Sequence, residues 1–216
     1  MTATAELVLY GSTTSPFVRK VRVALLETGM AHRFELAPPW SPTAGVERLN
    51  PLHKVPVLGL PDGTLICDSR VIVQYIDSQL PDRPLLPRVA ADRIEVLRIE
   101  ALSDGIGDAV ALYTQEGWRG PQARSAFWLE RQLAKVRAGI ACLERDIVKW
   151  LPLDGPLQLA PIAAGAALGF ASFWIPELAW RPSAPALDRL LDRLDARDSW
   201  RLTRPFLPPG ATFPVL

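Results

Sequence analysis

Apolar residues recur along this chain in two rhythms, and the change between them falls near residue 83. Before it, short apolar runs alternate with amphipathic stretches. Glu6–Tyr10, ending at Gly11, and Arg33–Leu36 read as strands. Between them Phe17, Val18, Val21, Ala24 and Leu25 keep helical spacing, with Arg19, Lys20, Arg22 and Glu27 on other faces. Ser15–Pro16 supplies an N-cap followed by proline at the first helical position, and Gly29 marks the stop. The proline-rich loop Ala37–Thr43 is irregular, and a weak helix near Gly45–Leu49 follows. Strands Val57–Leu60 and Thr64–Cys67 flank Pro61-Asp62-Gly63, a strong hairpin signal. Asp68–Ser69 then opens a helix with Ile72, Tyr75, Ile76 and Leu80 on one face. The order β-α-β-α-β-β-α predicts a small mixed sheet, a right-handed β-α-β half joined to a hairpin half.

Pro81, Pro84 and Pro87 make the segment Pro81–Arg88 a linker, and everything beyond it reads helical. The expected division is an α/β domain over residues 1–82, a linker at 83–88 and an all-helical domain over 89–216. A long helix runs from about Ala90 to Glu116, with Ile94, Leu97, Ala101, Gly105 and Ala109 forming an apolar-to-small line. Leu129, Leu133, Val136, Ile140, Leu143 and Ile147 step by four and three along the next helix. Ile162–Trp174 is apolar all round, which predicts the centre of a second core. Leu187, Leu190, Leu191 and Leu194 mark one more helix, and the proline-rich tail Pro205–Leu216 is irregular.

Composition narrows the function classes. Net charge is +1, from 24 basic and 23 acidic residues, so neither nucleic acid nor an anionic membrane is expected as the main partner. The N-terminus lacks the basic-then-apolar layout of a signal peptide. Ile162–Ile175, bracketed by Pro161 and Pro176, is shorter than the ~20 residues of a membrane span. Two cysteines, Cys67 and Cys142, cannot make a disulfide framework, and with only His32 and His53 no metal site is expected. A reducing, cytoplasmic setting fits this composition.

Four stretches in order carry a likeness: SPFVRKVRVALLETG in the first helix, NPLHKVPVL before the third strand, DSRVIVQYI at the third helix, and ALGFASFWIPELAWR in the second domain. With these the chain resembles the glutathione S-transferase family along nearly its whole length. The resemblance implies a thioredoxin-like N-terminal domain, an all-helical C-terminal domain, glutathione as co-substrate, and a hydrophobic cleft between the domains. It also implies a homodimer formed through the long helix, where Ala101, Gly105 and Ala109 permit close approach, though the same line could pack inside the second domain. The cleft would draw on the Ser12–Thr14 loop, Ile106–Tyr113, and Trp118 or Trp40.

Glutathione presents an ammonium and a carboxylate at one end, a peptide backbone and thiol in the middle, and a carboxylate at the other end. Asp68 offers an acceptor for the ammonium, and Ser69, at a helix start, offers a hydroxyl and backbone N–H groups to the neighbouring carboxylate. Val55 can pair its backbone with the cysteinyl unit, as in strand addition. The likeness implies that Pro56 is cis, and Lys54 and His53 could meet the far carboxylate. The family usually places Glu or Gln where Asp68 stands. Read singly, Asp68 and Ser69 are helix-capping residues, Lys54 a solvated lysine and Val55–Pro56 a strand-entry pair.

Ser15 stands where the family places its thiol-activating residue, with Ser12 and Thr14 as alternatives on the same loop. The four residues Ser15-Pro16-Phe17-Val18 contain no cysteine, which disfavours disulfide exchange. A serine hydroxyl can donate a hydrogen bond to the glutathione thiolate, a role that competes with capping the helix. The expected activity is conjugation of glutathione to an apolar small-molecule electrophile, the transfer of alkyl or aryl groups used in detoxification. A glutathione-fold binding protein without turnover and a glutathione-dependent peroxidase or reductase are the alternatives. Where the family opens its central helix with a capping box, this chain has Gln158 and Pro161, so that helix start is expected to be poorly capped. The pair Gln158→Thr with Pro161→Asp is then expected to raise the melting temperature.

Overall fold

The computed structural model describes residues 6–41, 43–80, 85–151, 153, 155–211 and 213. Four strands form one sheet in the order β2-β1-β3-β4: β1 (Leu7–Gly11), β2 (His32–Leu36), β3 (Val57–Gly59) and β4 (Leu65–Cys67). β1 pairs parallel with β2 and antiparallel with β3, which pairs antiparallel with β4. The crossover from β1 to β2 is α1 (Pro16–Thr28), capped by Ser15 and closed by Gly29 in the left-handed conformation at φ 70°. A single turn, α2 (Val46–Leu49), leads toward β3, and α3 (Ser69–Ser78) follows β4. This is the mixed sheet expected from the alternation, in the thioredoxin-like arrangement that the family likeness implied. Of the expected linker, Pro81–Pro84 lies outside the described residues.

The helical part comprises α4 (Ala90–Gly117), α5 (Ala126–Asp146), α6 (Leu159–Trp174), α7 (Pro185–Asp195) and the short α8 (Asp198–Leu202). Twelve of the sixteen residues of α6 are buried, so it forms the centre against which α1, α4 and α7 pack, while α5 packs on α4 and α7. No single helix among the described residues is long and apolar enough to cross a membrane. The start of α6 has no side-chain cap at Gln158, as its sequence implied; instead the Leu159 N–H donates to the Leu85 carbonyl at 3.0 Å.

Arg19 and Lys20, which lie off the apolar face of α1, are nonetheless both buried, because α4, α6 and α8 cover that side of the helix. The guanidinium of Arg19 lies 3.7 Å over the Trp200 ring and donates to the Trp200 carbonyl at 3.3 Å. The line on α4 also divides: Ile94, Ala101 and Gly105 are exposed, whereas Ala109 is buried.

Candidate functional site

Sheet register gathers the expected site residues at one end of the sheet. Val57 pairs with Cys67 across β3–β4 and with Tyr10 across β1–β3. The segments that run on from these pairs carry Pro56 and Val55 from β3, Asp68 and Ser69 from β4, and Ser12 from β1. The Val55–Pro56 peptide is cis, as the family likeness implied. The backbone N–H and C=O of Val55 have no partner among the described residues, leaving one residue of strand edge open to an extended ligand.

The loop before Val55 is held by a residue that sequence reasoning missed. Asn50 is buried; its Nδ2 donates to the Lys54 carbonyl and its Oδ1 accepts from the Leu52 N–H, both at 3.0 Å. The turn dipeptide Asn50–Pro51 was the only local signal. His53 sits in the left-handed region at φ 54°, and the His53 and Lys54 side chains are exposed.

Asp68, also at positive φ (70°), caps α3 by accepting the Arg70 N–H on Oδ1 at 2.8 Å. The cap occupies one carboxylate oxygen of an exposed side chain, so capping and ligand contact are compatible. Ser69 is buried at the first position of α3, and its hydroxyl has no partner among the described residues. At the start of α1, Ser15 Oγ accepts the Val18 N–H at 3.3 Å. Accepting leaves the hydroxyl proton available, so the two roles anticipated to compete for Ser15 can coexist. Its neighbour Thr13 is buried and donates from Oγ1 to the Phe206 carbonyl at 2.6 Å, tying the loop to the C-terminal tail.

Buried charge fixes this end of the sheet against α4. Lys20 Nζ donates to Glu100 at 2.8 Å and to both oxygens of Asp104 at 2.8 and 2.9 Å, and Arg70 Nε reaches Asp104 at 2.7 Å. Two cations thus balance two carboxylates. Burial pushes the Glu100 carboxyl up, with Lys20 opposing. Burial and the nearby Asp104 also push Asp108 up, against the pull of Lys54 and Arg70. Gly107 permits the close crossing: a Cβ there would lie 3.2 Å from Pro16 and 3.3 Å from Phe17. Of the expected cleft residues, Trp40 and Trp118 meet edge to face at 4.9 Å, Tyr113 is half-buried, and Ile106 is sealed in the core.

Comparison with known proteins converges on one family. The glutathione S-transferase N-terminal domain profile matches residues 9–84. The chain is 36% identical over 197 residues to the uncharacterized GST-like protein YibF of Escherichia coli strain K12, covering 91% of this chain and 98% of YibF. A glutathione S-transferase from Methylobacterium radiotolerans, solved with glutathione sulfonate, superimposes with a TM-score of 0.87 at 38% identity, over 95% of this chain and 98% of that one. Another from Methylobacillus flagellatus, solved with glutathione bound, gives 0.87 at 37% identity, over 93% and 100%.

Proposed function

The chain belongs to the glutathione S-transferase family, and from that premise we propose that it binds glutathione, stabilises its thiolate and conjugates it to an apolar electrophile. The observation that carries this is the unpartnered backbone of Val55, just before the cis Pro56 and the strand whose Val57 pairs with Tyr10 and Cys67. The cysteinyl backbone pairs with Val55, the γ-glutamyl carboxylate with Ser69 and the start of α3, the ammonium with Asp68, and the far carboxylate with Lys54 and His53. Ser15 donates its hydroxyl proton to the sulfur. A thiol titrates near ~8.5, and lowering it by ~2 units, roughly 2.7 kcal/mol, leaves it mostly ionised at pH 7. A charge-assisted hydrogen bond together with the positive end of α1 is of that order. The thiol proton passes to solvent. The sulfur pair then forms the new S–C bond as a leaving group departs, or adds to an activated double bond that takes a proton from water.

An ultraviolet thiolate titration of bound glutathione tests the reading on wild type and Ser15→Ala. The expected result is a thiol pKa near 6.5 in wild type, returning toward the solution value in the variant. Binding with an unshifted thiol would favour a binding protein without turnover, and no binding at all would remove the site. The exposed Val71, Ile94, Ala101 and Gly105 support a homodimer through α3 and α4. Sedimentation equilibrium reads that state directly.

A further inference from the structure

Lys20 is answered by Glu100 and Asp104, and Glu27 by Arg197. Arg19, the neighbour of Lys20 on α1, has no such answer. It is 5% exposed, yet no carboxylate among the described residues lies within ion-pair distance of it. Its Nη2 donates to the Trp200 carbonyl at 3.3 Å and its Nε to the Thr203 hydroxyl at 3.5 Å, both neutral acceptors. α6 covers the guanidinium at Gly169, where a Cβ would overlap Nη1, and carries no charged residue. Asp195 is the acid whose charge it feels, and that side chain is part-exposed and paired with Arg204 at 3.4 Å. On α1 itself Arg22, which donates to the Leu202 carbonyl at 3.2 Å, adds a second cation. Burial pushes the Arg19 pKa down to about 9, with Asp195 opposing and Arg204 and Arg22 lowering it further. The side chain is therefore cationic at neutral pH.

We propose that the unpaired charge of Arg19 is a second stabiliser of the thiolate at Ser15, acting through its field and touching neither the sulfur nor the hydroxyl. The backbone sets the separation. The Arg19 N–H donates to the Ser15 carbonyl at 3.0 Å, so the two residues are one turn, ~6 Å, apart along α1. Long side chains on a helix lean back toward its N-terminus, which turns the guanidinium toward Ser15. The segment it touches runs the same way: three residues beyond Thr203, the Phe206 carbonyl accepts from Thr13, two residues before Ser15. A sulfur at the start of α1 then lies roughly 10 Å from the charge. At that separation and an effective dielectric of ~20, one positive charge lowers a thiol pKa by about one unit. That is about half of the ~2 units that the transferase reading needs. Burial also shields this charge from salt, as a surface arginine would not be shielded. That the sulfur is glutathione's rests on the transferase reading; the field at residue 15 does not.

Ser15→Cys reads that field without glutathione. Iodoacetamide alkylates the introduced thiolate, forming an S–C bond as iodide leaves, and peptide mass spectrometry follows this site apart from Cys67 and Cys142. The pH dependence of the rate gives the thiol pKa. Adding Arg19→Met should raise it by about one unit, a roughly tenfold loss of thiolate on the acid side. The apolar replacement of similar length removes an unpaired buried charge, so the variant should fold. Adding Arg19→Lys keeps the charge and should leave most of the effect in place. Thr203→Asp sets the missing carboxylate beside Nε and should raise the pKa as Arg19→Met does, with the arginine still present. It serves as the second test should the first variant fail to fold. No rise in the Met and Asp variants, or a rise with lysine as large as with methionine, overturns the proposal. Bound glutathione titrated in Arg19→Met, with Ser15 intact, separates the two readings. A rise for the introduced thiol, with no glutathione bound by wild type, removes the transferase reading alone. No rise for it, with the bound glutathione thiol as depressed in Arg19→Met as in wild type, removes the role of Arg19 alone.

Discussion

Lys20 Nζ lies 2.8 Å from Oδ1 of Asp104, and both side chains are sealed where α1 crosses α4. Glu100 shares the same ammonium, so removing it leaves two buried carboxylates facing one remaining cation, Arg70. Unpairing a buried charge costs about 3–5 kcal/mol, whereas removing charges in balanced sets is far milder. Lys20→Met should therefore lose ~3–5 kcal/mol in urea unfolding, and Lys20→Met with Glu100→Leu should recover most of it. A loss below about 1 kcal/mol in the single variant would show that water already reaches the cluster.

Ser15→Asp separates the two roles of that residue. Aspartate is as good an N-cap as serine, so the variant should keep wild-type stability, while Ser15→Ala loses about 1 kcal/mol. An ionised carboxylate cannot donate to the sulfur and repels it, so the pKa of bound glutathione should rise in Ser15→Asp at least as far as in Ser15→Ala. A depressed thiol pKa in Ser15→Asp would move the activating role to another group on the loop, with Ser12 and Thr14 next to be tried.

The order of elements was legible because each signal is local: the Ser15–Pro16 start, the Asp62–Gly63 turn, and the four-and-three stepping of α5. Val55, Pro56, Asp68 and Ser69 flank the two ends of the β3–β4 hairpin, so their grouping follows from its turn, whereas their proposed ligand roles come from the family likeness. What could not be read were partnerships between distant positions. Lys20 and Asp104 are 84 residues apart, and Arg19 meets Trp200 from 181 residues away. Periodicity divides a helix into faces but does not say that distant helices will cover the polar one. Asn50 escaped for a different reason: its role is to hydrogen-bond an irregular loop, which leaves no periodic trace.

Glu27 gives the protein an acid-sensitive joint between its two parts. Arg197 Nε and Nη2 bind its two oxygens at 2.9 and 2.6 Å, and Ser199 donates to the same carboxylate. Burial alone would raise the Glu27 pKa, but these donors outweigh it and hold it below the ordinary 4.5. A depressed carboxyl pKa contributes stability that is complete above the unfolded value and is lost as pH falls through the folded one. Glu27→Gln should thus be less stable than wild type by about 2 kcal/mol at pH 7, the scale of hydrogen bonds to a charged group. The gap should close progressively below about 4.5. A gap that does not shrink at all as pH is lowered would assign the effect to packing instead of charge.

The start of α6 offers a gain at one of the two positions that its sequence singled out. Leu159 already donates to Leu85, and Pro161 has no N–H, so the Ala160 N–H is the one donor of the first three helical positions left to a cap. Threonine at 158 can accept it, a change worth about 1 kcal/mol, or roughly 2–4 °C in a chain of this size. Pro161 is buried, so an aspartate there would place a carboxylate against the apolar centre of the helical region. Gln158→Thr alone should raise the melting temperature in a calorimetric scan, and adding Pro161→Asp should cancel the rise. If the pair melts higher than the single variant, the first turn of α6 is more open to water than its burial indicates, and the full capping box fits there after all.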